Sequence, residues 1–307
     1  MNDILVIMGP TASGKSALAL KAAEMFDGEI VSADSMQLYR GLEIGTAQPT
    51  AEERSKIPHH LVGIWDISVR ADVFTFQTLA DTAISDIRKR GKLPIIAGGT
   101  GLYLKNLLYG LDDMPGDRAV RQELDELYDA PEKEDALHNR MAIEDPAALE
   151  KFKLCRRRLI RALEVKIITG KSIIELQSQS EKKLRYPEIT AVKLDIAPEV
   201  LAEKIALRTA KMLENGWIAE AEKAIEQGLL TTPTAHQALG YKTIAAYLNG
   251  DFNKDTLYEK LCAATRQYAR RQRTWFRHQH PEASALPAAD TEKFLKQISD
   301  KLCKRSS

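Results

Sequence analysis

The sequence predicts an α/β protein: a P-loop NTPase-like parallel sheet flanked by helices, with a helical domain inserted into it. Three observations carry that expectation. A glycine-rich loop closed by Lys15 and Ser16 follows directly on a short apolar run, two more apolar runs end in glycine-rich or acidic turns, and a long charged stretch without strand pattern separates the third run from a fourth.

Taken in order, Ile4 to Met8 is a five-residue apolar run that reads as a strand, and Ser16 to Phe26, rich in Ala and Leu, reads as a helix. Glu29 to Ala33 forms a second strand that ends at Asp34. Leu93 to Ala97 forms a third, ending at Gly98-Gly99-Thr100-Gly101. Between these two, Thr75 to Arg90 places Phe76, Leu79, Ala80, Ala83, Ile84 and Ile87 at helical spacing. Strands buried on both faces and alternating with helices build a parallel sheet, and ligands of such sheets sit beyond the carboxyl ends of the strands. Gly9 to Ser16, Asp34 to Gln37 and Gly98 to Thr100 all fall at that edge.

From about Asp112 to Pro187 strand pattern gives way to charged, helix-forming sequence, and Thr190 to Ile196 then resumes a strand. The expected division is a catalytic core of residues 1–111 and 190–307 with a helical insertion at 112–189. The remainder, Pro198 to Lys304, reads as mostly helical, with Gly216, Gly228, Gly240 and Gly250 near helix ends and Lys304 to Ser307 as a frayed tail.

Composition narrows the function classes. With 44% hydrophobic and 28% charged residues the balance is that of an ordinary globular protein, and no run approaches the ~20 apolar residues of a spanning helix. Met1-Asn2-Asp3 lacks the basic start of a secretory leader, so the cytoplasm is the expected compartment. Cys155, Cys262 and Cys303 lie far apart without a CxxC pair, which disfavours a disulfide framework and a zinc site. His278 and His280 read as exposed polar filler.

The chemistry begins at Gly9-Pro10-Thr11-Ala12-Ser13-Gly14-Lys15-Ser16, which fits the P-loop pattern G-x-x-x-x-G-K-[ST] between a strand and a helix. Its backbone N–H groups turn around an anion, the helix N-terminus adds partial positive charge, Lys15 adds a full one, and the Ser16 hydroxyl can ligate Mg²⁺. The loop alone does not distinguish a nucleotide from the diphosphate of another donor. Asp34 is either a general base or a helix cap and partner of the metal site. Gly98 to Gly101 is either a tight turn or a close approach to a ligand.

Basic residues cluster twice. Lys153, Arg156, Arg157, Arg158 and Arg161 form one group, and Arg266, Arg270, Arg271, Arg273 and Arg277 the other. Positions 266, 270, 273 and 277 line one helical face, with Leu261, Tyr268 and Trp275 pointing away from it. Such a stripe is a solvated face or a surface for phosphate oxygens. Arg208 is a phosphate clamp or a surface residue.

Together these residues resemble the tRNA dimethylallyltransferase family. GPTASGKS, DSMQLYRGLEIGTA, PHHLVGIWD, RGKLPIIAGGTGLYLKNLL, QALGYK and TRQYARRQRTWFR look like the family's ordered signatures along nearly the whole chain. The resemblance implies transfer of a prenyl group from dimethylallyl diphosphate to the exocyclic amine of the adenosine on the 3′ side of the tRNA anticodon. It implies that Gly9 to Ser16 hold the donor diphosphate, that Lys15 and Arg208 neutralise the leaving charge, and that Ser16 meets Mg²⁺. It further implies that Asp34 removes the amine proton, that Ser35, Met36 and Gln37 contact the adenosine, and that Thr100 helps fix the acceptor. Arg121 and the run Arg157, Arg158, Leu159, Ile160 and Arg161 would grip the anticodon stem-loop, together with Arg270 and Arg273. The implied protein is a monomer without membrane attachment. One departure falls at Lys153-Leu154-Cys155, where family members commonly carry Pro-Asn-Asp. The rivals are an adenylate prenyltransferase or small-molecule kinase, and a non-catalytic RNA-binding NTP switch.

Overall fold

Ile4–Met8 forms β1 with all five side chains buried, the outcome for an uninterrupted apolar run in the middle of a sheet. The protein is described from a computed structural model over residues 3–110, 114–179 and 183–306. After β1 come α1 (Lys15–Met25), β2 (Gly28–Ser32), α2 (Ala51–Lys56), β3 (His59–His60), α3 (Val73–Lys89), β4 (Leu93–Gly98) and α4 (Gly101–Tyr109). A helical stretch follows with α5 (Arg118–Tyr128), α6 (Glu134–Glu144), α7 (Pro146–Phe152), α8 (Arg156–Thr169) and α9 (Ile173–Gln179). The chain then adds β5 (Ile189–Asp195), α10 (Pro198–Glu214), α11 (Trp217–Glu226), α12 (Tyr241–Leu248), α13 (Lys254–Gln279), β6 (Ser284–Pro287) and α14 (Thr291–Ser306).

Among the described residues the strands make one six-stranded, all-parallel sheet in the order β3-β2-β4-β1-β5-β6. This order matters for chemistry. β1 is interior, β4 lies beside it and β2 beside β4, so the turns leaving these three strands are neighbours at one sheet edge. Gly98 shows how close they run: a Cβ there would strike the carbonyl of Ala33 at the end of β2, so only glycine fits.

One core packs Leu5, Ile7, Ile30, Ile95 and Val192 of the sheet against Leu18, Ala19 and Ala22 of α1 and Phe294, Leu295 and Ile298 of α14. A second joins Tyr39 and Leu42 to Trp217, Ala221, Tyr241, Ile244, Leu257 and Leu261 on α11, α12 and α13. Chain packing divides the protein into Met1–Leu108 with Tyr186–Ser307, and Tyr109–Arg185. The second unit has its own core, in which Leu124, Leu137, Met141, Leu159, Ile160 and Leu163 are fully or almost fully buried.

Several expectations need correction. Two strands escaped the sequence: β3 is only two residues long, and β6 is a short edge strand inside a region that reads as helical. The helix of α14 continues to Ser306, so the tail is not frayed as far as it is described. His280 is not exposed filler but fully buried, with Nδ1 2.9 Å from Glu282 Oε1 and its ring beside Phe276. The expected boundary at 111/112, Met1 and Asn2, and Ser307 lie outside the described residues, as does the side chain of Cys303. No helix among the described residues is long and apolar enough to cross a membrane.

Candidate active site

The loop from Gly9 to Gly14 leaves the interior strand β1 and turns into α1. Gly14 caps α1 in the left-handed conformation at φ 97°, where a side chain would be strained, and offers no side-chain cap to the helix. With no acid in the first turn either, the leading N–H groups of α1 are open to an anion. Ser13 Oγ is buried among the loop without a hydrogen-bond partner. Ser16 is exposed at the first turn of the helix. Lys15 reaches back, its Nζ donating to the Pro10 carbonyl at 3.2 Å.

Beyond β2, Asp34 Oδ1 accepts the Met36 N–H at 3.0 Å, so it closes a turn and does not cap a helix. Oδ2 meets no donor among the described residues. Thr100 knits the adjacent turns together: its Oγ1 accepts from Ser35 N at 3.0 Å and donates to Ser35 Oγ at 3.3 Å, and its own N–H donates to Ala33 O at 3.2 Å. Gln37 is more constrained than a free base reader. Its Nε2 donates to the carbonyls of Ala47 (2.8 Å) and Thr46 (3.2 Å), and its Oε1 accepts from Ser32 Oγ at 2.8 Å. Both amide N–H groups are thereby occupied, leaving one lone pair of Oε1 for a ligand.

Two helices distant in sequence complete the site. Arg208 on α10 donates to Thr11 Oγ1 at 3.3 Å. Gln272 on α13 is buried and bridges two turns, accepting Thr11 N–H at 2.8 Å and donating to Gly99 O at 2.8 Å. A cavity of about 340 Å³ is lined by Thr11, Lys15, Ser16, Asp34, Ser35, Met36, Gln37 and Arg208, and also by Gln237, Leu239, Tyr268 and Arg271. Sequence reading missed Gln272 and these last four as site residues. Arg271 lies one residue beyond Arg270 and so about 100° from the arginine stripe, and it stacks over Tyr268 at 5.8 Å. Only an i, i+3 Tyr–Arg pair beside a glutamine on the apolar face could have signalled it.

Electrostatically the cavity is poised for an anion. Burial lowers the pKa of Lys15 from 10.5 to about 8, with Arg208 adding to the shift and Asp34 opposing it. Burial likewise pulls the Arg208 guanidinium down, against Asp34. Two enclosed cations and one carboxylate leave net positive charge that a polyanion relieves.

A metal ion would have few protein donors. Among the described residues no group of three or more His, Cys, Asp or Glu side chains is placed to hold one. Ser16 and Asp34 line the same cavity. That sparse oxygen set suits Mg²⁺ when water and phosphate oxygens complete its shell, so the residues fit the ion together with a bound anion.

The arginine clusters separate by burial. On α13, Arg266, Arg270 and Arg277 are exposed, while Arg273 lines a smaller cavity of about 240 Å³ with Pro10, Lys193 and Arg277. Within the helical unit, Arg161 Nη1 lies 2.8 Å from the buried Glu164 and Arg121 Nη1 3.5 Å from it, and Arg161 also donates to Met114 O at 2.9 Å. Both are engaged in holding their own unit. Leu159 and Ile160, expected at an RNA surface, are fully buried in the unit's core, because the helical period turns them opposite Arg157 and Arg158. Arg157 and Arg158 remain exposed.

Comparison with known proteins bears on the family and the fold. Residues 37–279 match the IPP transferase family. The chain is 42% identical to tRNA dimethylallyltransferase 2 of Geotalea uraniireducens over 89% of its length and 88% of the relative's. It superposes on the tRNA isopentenylpyrophosphate transferase of Bacillus halodurans with a TM-score of 0.72 at 34% identity, covering 100% of this chain and 98% of that one. With a eukaryotic dimethylallyltransferase captured acting on tRNA the TM-score is 0.79 at 29% identity, over 98% of this chain and 77% of that one. With the loop, the acidic turn and the two distant helices meeting at one cavity, and with matches along nearly its whole length, the chain belongs to the IPP transferase family, the tRNA dimethylallyltransferases.

Proposed function

We propose that this protein transfers a dimethylallyl group from dimethylallyl diphosphate to the exocyclic amine of the adenosine 3′-adjacent to the anticodon of tRNA, releasing diphosphate. The observation that carries the reading is a carboxylate with one oxygen unengaged, Asp34, in the same cavity as Lys15, Arg208 and the uncapped terminus of α1.

In the reaction the donor's C1–O bond breaks, a bond from the adenine nitrogen to C1 forms, and the nitrogen's proton passes to Asp34. Gly9 to Ser16 hold the diphosphate, and Lys15 and Arg208 balance the charge that grows on the departing oxygen. Mg²⁺, held by Ser16 with the diphosphate, supplies further charge neutralisation when bound. Ser35 and Met36 flank the base, and Gln37 shapes the wall behind it by fixing the carbonyls of Thr46 and Ala47. Thr100 holds the Asp34 turn against the Gly98 turn.

An adenosine in a stacked loop must be extruded to reach this cavity, at a cost of a few kcal/mol that phosphate contacts offset. The exposed Arg157 and Arg158 of the helical unit and Arg270 with Arg273 on α13 are the cations for that contact. The division of labour is a core, near residues 1–111 and 190–307, that binds the donor and does the chemistry, and a helical part that grips the stem-loop. A monomer working in the cytoplasm, where unmodified tRNA is available, suits this reading.

The test is transfer of radiolabelled dimethylallyl from its diphosphate to unmodified tRNA by the wild type and by Asp34→Asn. Loss of at least ~10²-fold in kcat with unchanged tRNA affinity is the expected result. Label passing to AMP but not to tRNA, or wild-type turnover by the variant, would overturn the assignment.

A further inference from the structure

A second and larger cavity opens beside the diphosphate cradle. Its volume is about 660 Å³, within the range of about 300–1,000 Å³ typical of small-molecule sites and more than a five-carbon group needs. One wall is Ile44, Ala47 and Pro49. The other is one face of α10, where Leu207, Arg208 and Met212 recur at helical spacing. Met212 and Ile44 also pack against the core of α11 to α13, while Leu207 faces away from the buried Leu201, Ile205 and Thr209.

The two cavities share Ala47 and Arg208. Arg208 is also the residue that touches the phosphate loop, at Thr11. Lys204, Lys211 and Arg54 line the larger cavity as well, with Glu43 as its one acid, so an apolar hollow with a mostly cationic rim adjoins the anion cradle. An amphiphile with a diphosphate head and a hydrocarbon tail matches both features. Leu207, 74% exposed, stands without cover at the cavity's edge.

We infer that this cavity receives the hydrocarbon tail of an allylic diphosphate longer than five carbons, with its head in the Gly9–Ser16 cradle. The inference rests on the donor reading above. The longer compound is then a competitive ligand of the donor site, and burying as few as two extra methylenes tightens binding roughly tenfold.

The experiment measures dimethylallyl transfer to tRNA in the presence of geranyl diphosphate, with inorganic diphosphate as the control for the head alone. Competition by the ten-carbon compound with an inhibition constant at least ~10-fold below that of inorganic diphosphate is expected. Leu207→Glu, at an exposed position, should weaken the ten-carbon compound by about tenfold while leaving KM and kcat for the five-carbon donor unchanged. Geranyl diphosphate competing no better than inorganic diphosphate overturns the inference while transfer itself proceeds, and so does a Leu207→Glu variant that binds it as the wild type does. If transfer to tRNA is absent, the donor reading fails separately, and calorimetry of geranyl diphosphate with both proteins still decides whether Leu207 borders a tail site.

Discussion

Lys15 stands between Asp34, which favours its charged form, and Arg208, which opposes it, in a setting whose burial already brings its pKa to about 8. Dimethylallyl diphosphate binding must recruit the protonated lysine, so affinity holds below pH 8 and falls by up to about tenfold per unit above it. Titration calorimetry between pH 7 and 9.5 measures this, and Lys15→Arg, whose cation does not titrate in that range, should flatten the profile. The stability sign is the reverse. Because the folded lysine releases its proton before the unfolded one, burial of the charge costs stability fully below pH 8, and the cost is relieved between about 8 and 10.5. Lys15→Met is therefore expected to be more stable than the wild type without ligand at pH 7, by an amount that shrinks toward pH 10 in urea melts. At this scale the sequence was legible where a motif binds residue type to spacing, as at Lys15 and Ser16, while Asp34 stayed open between a base and a cap. Gln272 was not legible, because its two partners are Thr11 and Gly99, and nothing local to α13 distinguishes a buried bridging amide from a surface one.

At the scale of elements, the segment after Tyr39 has no regular helix or strand of its own, and a side chain from a distant helix ties it down beside the local bonds of Gln37 and Gln48. Glu220 on α11 accepts from Ile44 N at 2.7 Å, Gly45 N at 2.8 Å and the Tyr241 hydroxyl at 2.7 Å. Gly45 presses so closely on Trp217 and Tyr241 that a Cβ would collide with both. This clamp sets the carbonyls of Thr46 and Ala47 that orient Gln37. Glu220→Ala leaves two backbone donors and a phenol without their acceptor and should cost about 2–4 kcal/mol in chemical denaturation. Tyr241→Phe removes one hydrogen bond and should cost about 1 kcal/mol. Motif reading found both ends of the clamp, in the segments that hold Gly45 and Tyr241, but not Glu220 between them, since a lone acid on a charged helix carries no local signal. The same limit applied on α8. The five cations from Lys153 to Arg161, four of them on α8, read as a solvated face or a phosphate surface, yet Glu164, one turn on, draws Arg161 inward. Arg161→Ala should accordingly lower the stability of the helical unit, and Arg157→Ala should leave the melting curve unchanged.

Across the whole molecule, affinity for tRNA depends on how many cations reach phosphate. Replacing Arg157 and Arg158 together with alanine should weaken binding and reduce the slope of log K against log salt by about 1.5, as should the Arg270/Arg273 pair. Filter binding at several salt concentrations reads both, and an unchanged slope returns that pair to a solvated role. By itself the sequence determined the parallel core, the edge where its glycine-rich and acidic turns converge, the P-loop pattern and the helical character of the interrupting segment. These follow from local apolar period and from glycine and lysine at fixed offsets, which are short-range physics. Tertiary structure alone decided which arginines face solvent, which glutamine ties the loop to α13, that His280 is interior, and that an apolar hollow adjoins the cradle. Those outcomes depend on which distant side chains meet, and a side chain that could bind a phosphate equally well binds a buried carboxylate when folding brings one within reach.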